Sequence, residues 1–198
     1  MEGKTTLASF IIEKLQESTQ GPVVYFYCKH NQPEKRTLNS IVRALLTQLV
    51  KVDDDLLAYI YDECASVDET KLESTRTVEE LLGLALASQN TTFVVLDGLD
   101  ECGRDEETEI INWFQSIILQ SNSHGPAGVI RLLCISQRNG NLDRLLAKAP
   151  SVSLENEEHQ GDIEVYAAQI AGKIRENFDI TTLEERNIAQ NVAKTAAG

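Results

Sequence analysis

The chain has 198 residues, and its contents of 42% hydrophobic and 25% charged residues are typical of a globular domain and exclude a disordered one. Its 31 acidic residues outnumber the 18 basic ones, and the net charge of -13 argues against nucleic-acid binding by a basic face. Because no stretch approaches the roughly 18 consecutive apolar residues of a membrane span, we expect no membrane partner.

The chain begins with "MEGKTTLASF", in which Gly3-Lys4-Thr5 forms the end of the phosphate-binding pattern G-x-x-x-x-G-K-[ST]. Apolar residues at helical spacing follow over residues 7–15, so Lys4 is predicted at a helix N-terminus, where free amides and the helix dipole favour an anion. There Lys4 would reach the β- and γ-phosphates of a nucleotide, and Thr5 would offer its hydroxyl to Mg²⁺. The alternative is an exposed helix with an ordinary lysine. The first glycine of the pattern and the strand before it are missing, so we expect weak nucleotide binding.

The next segments predict a strand and two helices. Residues 23–28 (VVYFYC) are rich in β-branched and aromatic side chains, and their almost continuous apolar character is typical of a strand covered on both faces. Residues 38–50 repeat apolar side chains every three or four positions, which places a stripe on one face of a helix. The acidic residues 52–74 predict a further helix and a surface loop. Their carboxylates fit a solvated helix start better than a metal site.

The second motif follows another predicted helix. Thr77 and Glu80 have the T-x-x-E form of a capping box, which predicts that a helix begins there and continues over residues 78–87. Residues 91–97 (TTFVVLD) predict a buried strand, which places Asp97 at its carboxyl end. Open α/β sheets bind ligands at that edge. Asp97 would hold Mg²⁺ opposite the phosphates, usually through water.

Three more polar residues follow strand ends. Asp100 and Glu101 lie on the turn after Asp97, and one of them would orient or deprotonate the attacking water. The sequence does not choose between them. Beyond a predicted helix over residues 110–119, residues 129–136 (VIRLLCIS) predict another buried strand, which leads to Arg138. A guanidinium matches phosphate oxygens in a bidentate manner, so Arg138 would contact the γ-phosphate. The alternatives are an acidic turn without a ligand and an ordinary surface arginine.

The last part of the chain is predicted to be mainly helical. Residues 151–154 (SVSL) predict a weaker fourth strand, and residues 162–174 and 183–198 predict two helices. Strands that alternate with helices favour an α/β fold with a parallel sheet and right-handed crossovers.

Together these blocks resemble the NACHT domain, the nucleotide-binding switch of STAND-class P-loop NTPases, and most closely its nephrocystin-like N-terminal type from filamentous fungi. The blocks are "GKTTLAS", "LNSIVRALLTQLV", "FVVLDGLDEC", "RLLCISQR", "DIEVYAAQI" and "VAKTAAG", of which "LDGLDEC" and "ISQR" are specific. The resemblance implies a three-layer α/β/α P-loop NTPase with a mostly parallel sheet, lacking the first strand, which carries the P-loop. It also implies a partial nucleotide-binding domain over residues 1–155 and the start of a helical region over residues 156–198.

The resemblance further implies ATP or ADP with Mg²⁺ as cofactors, with GTP as an open alternative. It assigns nucleotide binding to Gly3, Lys4, Thr5 and Thr6. It assigns Mg²⁺ binding to Thr5 and Asp97, and catalysis to Asp100, Glu101 and Arg138. The implied protein is a switch that is closed with ADP and open with ATP, and its partners are other protein domains or copies of itself.

Relative to the family pattern, both ends of the chain are predicted to be cut. The strand at residues 129–136 would then lack a neighbour on one side, residues 151–154 would lack a partner, and NTPase activity would be weak at most. The alternatives are a catalytically inactive NACHT-like interaction module and another P-loop class such as a phosphotransferase. No leader precedes the first motif, and four dispersed cysteines fit reduced thiols, so we expect a cytoplasmic protein.

Overall fold

The computed structural model describes residues 2–19, 21–66, 74–123, 128–153, 157–178 and 180–196. The chain divides into two compact units, residues 1–147 and residues 148–198. In the described part of the chain, no helix is both long and apolar enough to cross a membrane.

The first unit is an α/β domain, as the alternation of patterns predicts. Its elements are α1 (Glu2–Ser18), β1 (Val23–Tyr27), α2 (Leu38–Val50), α3 (Asp54–Ser66), α4 (Thr75–Ser88), β2 (Thr91–Asp97), α5 (Arg104–Ser123), β3 (Val129–Ile135) and α6 (Gly140–Leu145). Short 3-10 turns lie at Pro33–Lys35 and Leu99–Glu101. The predicted bounds of α2 and β2 agree with the structure to the residue, and β1 and β3 each end one residue earlier than predicted.

The strands form a parallel sheet in the order β1-β2-β3. Val23 aligns with Phe93 in the first pair of strands, and Thr91 aligns with Val129 in the second. Among the described residues no strand pairs with the outer edge of β3, as the sequence predicts. The expected α/β fold with a parallel sheet that lacks one strand is therefore confirmed.

Alternation along the strands sends side chains to two helical layers. On one face, residues such as Val24, Val94 and Leu96 join the main core with apolar residues of α2, α3, α4 and α5. On the other face, Val95 and Ile135 form a smaller cluster with Ala8 and Ile12 of α1. Asp97 has the parity of Val95, so its side chain lies on the α1 face. This parity brings the two predicted motifs to the same side of the sheet.

The outer edge of β1 is covered by a side chain. Gln48 of α2 accepts a hydrogen bond from the backbone nitrogen of Tyr25 at 3.1 Å and donates one to the carbonyl oxygen of the same residue at 2.8 Å. The side-chain amide thus satisfies both backbone groups of a strand residue, as a neighbouring strand would.

The predicted start of α4 is wrong by three residues, since the N-cap is Ser74 and not Thr77. The helix begins at Thr75, and the hydroxyl of Ser74 accepts a hydrogen bond from the backbone nitrogen of Thr77. Glu80 instead pairs with Arg76 one turn earlier, at 2.9 Å. An N-cap side chain accepts a hydrogen bond from the backbone nitrogen three residues later, and Ser74 has this spacing to Thr77. Ser74 therefore takes the capping role that the T-x-x-E pattern assigned to Thr77.

The second unit consists of α7 (Glu157–Phe178) and α8 (Thr182–Ala196), which pack against each other. Small side chains such as Ala171 and Ala193 are buried, and Arg175 pairs with Glu185 at 2.9 Å. The predicted helical character of this region is confirmed.

The predicted strand at residues 151–154 is wrong for the three residues that the structure describes. Residues 151–153 are exposed and outside any strand, with Val152 90% exposed, and Leu154 lies outside the described residues. An extended segment becomes a strand only when a neighbour pairs with its backbone groups, and the described residues supply no such neighbour for this segment.

Candidate functional site

The carboxyl ends of the three strands meet at one edge of the sheet and are joined by backbone hydrogen bonds. The nitrogen of Cys28, just after β1, donates to the carbonyl of Asp97 at 2.8 Å. The nitrogen of Gly98 donates to the carbonyl of Ile135, the last residue of β3, also at 2.8 Å. These bonds fix the position of the turn that follows β2.

The first turn of α1 lies against the end of β2. The hydroxyl of Thr5 donates a hydrogen bond to Oδ2 of Asp97 at 2.7 Å, although the residues are 92 positions apart in the chain. The residue Asp97 is only 4% exposed. The structure therefore brings together the ends of the "GKT" and "LDGLDEC" motifs, the two residues that the sequence assigns to Mg²⁺.

The electrostatics of Asp97 indicate a deficit of positive charge. Burial raises the pKa of its carboxyl above the ordinary value, while the Thr5 hydrogen bond and the charge of Lys4 act in the opposite direction. Asp100 and Glu101 raise the pKa further through like-charge repulsion. Oxygen ligands of this kind suit Mg²⁺, and a bound divalent cation would offset the buried negative charge. The residues present therefore fit such an ion.

Replacement of Asp97 by asparagine should stabilise the ligand-free protein at neutral pH. Because its folded-state pKa is raised, the stability that Asp97 contributes is fully present below its unfolded pKa and is lost as the pH rises through the folded value. The advantage of Asp97→Asn over the wild type should therefore be largest at neutral pH and should shrink as the pH falls towards the ordinary aspartate value. Urea unfolding at pH 7, 5 and 4 measures this.

The exposed Asp62, on α3 but away from its first turn, supplies the control. Asp62→Asn should change the free energy of unfolding by no more than about 0.5 kcal/mol at any of these pH values. A lower stability of Asp97→Asn than of the wild type at pH 7 would show that the carboxylate is held in the ionised form and would contradict the prediction.

Of the other assigned residues of α1, Gly3 and Lys4 lie in the same turn as Thr5, and Thr6 begins the next turn. Gly3 and Thr6 are exposed, and Lys4 is half-buried. The first backbone amides of a helix have no partner within the helix, so this turn offers donors and a positive helix end to an anion.

Asp100 and Glu101 project to the loops on either side. Oδ1 of Asp100 accepts a hydrogen bond from the backbone nitrogen of Gln137 at 2.9 Å. Oε2 of Glu101 accepts one from the backbone nitrogen of His30 at 2.8 Å. Sequence patterns gave no signal for these bonds, since the nitrogens belong to loops after β3 and β1.

Arg138 lies three residues beyond β3 and is largely solvent-exposed. Its guanidinium reaches Asp143 at 3.4 Å, and its side chain is 72% exposed. The described contacts do not join it to Asp97 or Thr5, so the structure links Arg138 to the other assigned residues only through the backbone of Gln137.

Two buried groups near the site were missed by the sequence analysis. Cys28 and Cys102 are buried, and a hydrogen bond between their side chains, together with burial, raises the pKa of the Cys28 thiol. Glu107 of α5 is also buried and accepts hydrogen bonds from the side-chain amides of Asn139 at 2.9 Å and Asn141 at 2.7 Å. The sequence could have indicated Asn139, because asparagine is a favoured N-cap residue and Asn139 directly precedes the short helix α6.

The fold and the site define an α/β domain with a candidate ligand site at the carboxyl edge of a parallel sheet. The family model described as nephrocystin 3, N-terminal, matches residues 2–137, and the chain belongs to this family. The matched range contains all three strands and every assigned residue except Arg138. The chain matches no curated protein, and it matches no solved structure.

Proposed function

We propose that the first unit binds the phosphates of a nucleotide, with Mg²⁺, as part of a NACHT-like switch of the STAND class of P-loop NTPases. The observation that carries the proposal is the hydrogen bond between Thr5 and the buried Asp97. It joins a G-K-T sequence at a helix start to an acidic residue at a strand end, which is the arrangement that a phosphate and its magnesium ion require.

Each residue has a role that follows from its place. The amide of Gly3 and the ammonium of Lys4 would face the phosphates, because both lie in the first turn of α1. Thr6 follows at the start of the next turn, beside them. Thr5 and Asp97 would hold Mg²⁺, which supplies positive charge between the phosphates and the buried carboxylate. Nothing in these groups contacts a base, so the proposal covers ATP, ADP and GTP.

The switch itself would consist of a change between nucleotide states that is communicated to other protein domains or to further copies of the protein in the cytoplasm. Turnover is expected to be slow, at most that of a weak NTPase. The support is the membership of the nephrocystin 3 N-terminal family together with the site geometry.

Thermal unfolding with increasing ATP and excess MgCl₂ tests the proposal. At ATP ten times above its Kd the native state should gain about 1.4 kcal/mol. For a chain of this size that gain corresponds to a rise in Tm of about 3 to 6 °C. Lys4→Ala and Asp97→Asn should each remove most of this shift, since each removes one charge from the phosphate and metal contacts.

Lys14→Ala is the matched control. Lys14 lies on the same helix, is exposed and pairs with Glu17, so this variant should keep the full response to ATP. Equal shifts in Lys4→Ala and the wild type, or no shift with ATP up to about 10 mM, ten times the Kd of a millimolar site, would overturn the proposal. Either result would favour an interaction module that does not use nucleotide.

A further inference from the structure

The turn after β2 is connected by side chains to both neighbouring loops. Asp100 and Glu101 lie in a single 3-10 turn, yet Asp100 bonds to the loop after β3 and Glu101 to the loop after β1. Both acceptors are carboxylates and both donors are backbone amides, so these are charge-assisted hydrogen bonds. The two acids therefore hold the three strand-end loops in one arrangement.

The loop that Asp100 holds is the one that carries Arg138. Gln137, whose amide donates to Asp100, directly precedes Arg138 in the chain. Asn139 directly follows it, and its side chain accepts hydrogen bonds from the amides of Asn141 and Leu142. The backbone is thus held on both sides of the arginine.

The second anchor reaches the protein interior. The side-chain amide of Asn139 donates to the buried Glu107 at 2.9 Å, which fixes this end of the loop to α5. The guanidinium of Arg138, in contrast, has among the described residues only the exposed contact with Asp143 at 3.4 Å. Exposed ion pairs of this kind contribute little. Asp100 and Asn139 therefore fix the backbone position from which the arginine side chain extends.

We propose that Asp100 is a positioning residue: through the amide of Gln137 it holds the Arg138 loop in register with the Asp97 turn, and it does not act by taking a proton from water. The inference rests on the proposed function, since it assigns Arg138 to the same nucleotide site. It also separates two neighbouring acids that the sequence could not distinguish, because only Asp100 contacts the loop of the arginine.

Two substitutions distinguish positioning from proton transfer. Asparagine retains an oxygen that can accept the hydrogen bond from Gln137 but cannot take a proton, whereas alanine loses both abilities. Asp100→Asn should therefore behave like the wild type, and Asp100→Ala should not. The exposed Asp105, on the first turn of α5, supplies the control Asp105→Ala for the loss of a nearby negative charge.

The first measurement needs no nucleotide. NMR should show that exchange of the Gln137 amide with water is about fivefold faster in Asp100→Ala, and unchanged in Asp100→Asn and Asp105→Ala. The second measurement is the shift in Tm with ATP and MgCl₂. It should fall in Asp100→Ala and in Arg138→Ala and persist in Asp100→Asn.

The outcomes separate the two proposals. Unchanged Gln137 exchange in Asp100→Ala would overturn the positioning role alone. A loss of the ATP response in Asp100→Asn while the Gln137 amide stays protected would also overturn it, because the charge of Asp100 would then be the property required. A wild-type protein without an ATP response would overturn the proposed function and, with it, the role of Asp100 in the nucleotide site.

Discussion

Replacement of Leu86 by alanine is expected to lower the free energy of unfolding by about 2 to 5 kcal/mol. Leu86 lies on α4, is 0% exposed and belongs to the main core beneath the sheet. Its loss removes apolar contacts and leaves a cavity that the neighbouring helices fill only in part. Since domains are stable by only about 5 to 15 kcal/mol, this single change would remove a large share of the total.

The same helix contains a matched control two residues away. Leu84 is 53% exposed, and Leu84→Ala should change the free energy of unfolding by about 0.5 kcal/mol or less. Urea unfolding of both variants, with the slope m held in common, gives the comparison. Equal losses for the two leucines would show that α4 does not face the core as described.

Replacement of Gly98 by alanine is expected to cost about 1 to 3 kcal/mol, because a side chain would be forced into the left-handed backbone region. The φ angle of Gly98 is +77°, and a Cβ there would lie 3.0 Å from the carbonyl oxygen of Cys28. That oxygen belongs to the backbone, so it cannot move aside as a flexible side chain would. The change therefore strains the turn that carries Asp100 and Glu101.

Gly83 gives a control of opposite sign. It lies within α4, and an added Cβ would meet nothing within 4 Å. Gly83→Ala should therefore stabilise the protein by about 0.5 to 1 kcal/mol, since alanine is the better helix former. Thermal and urea unfolding of the two variants measure both effects. A Gly98→Ala protein as stable as the wild type would mean that the turn accepts another conformation.

The sequence could predict those parts of the molecule in which the local pattern of apolar residues is compatible with only one type of secondary structure. The apolar stripe of α2 and the buried run of β2 left no competing arrangement, and their bounds were found to the residue. The approach of Thr5 to Asp97 was also foreseeable, because a helix start and a strand end meet at one edge of a parallel sheet.

The remaining features depend on contacts between distant segments. The sequence around Asp100 and Glu101 does not indicate that the two side chains bond to different loops, because the donors are backbone amides, which nearly every residue has. The prediction of where α4 begins was wrong for a related reason. Ser74 and Thr77 are both good N-cap residues, and the helix uses Ser74. Residues 151–153 have a sequence that favours a strand but form none, because no described strand lies beside them to pair with their backbone groups.

The side chain of Gln48 makes the two edges of the sheet unequal as places where a further strand could pair. A new strand beside β1 would have to displace both hydrogen bonds between Gln48 and Tyr25, each of which contributes about 1 kcal/mol. At β3 the described residues present no strand that must first be removed. A fourth strand from any source would therefore join at β3, and if it ran parallel its carboxyl end would arrive next to the loop of Arg138.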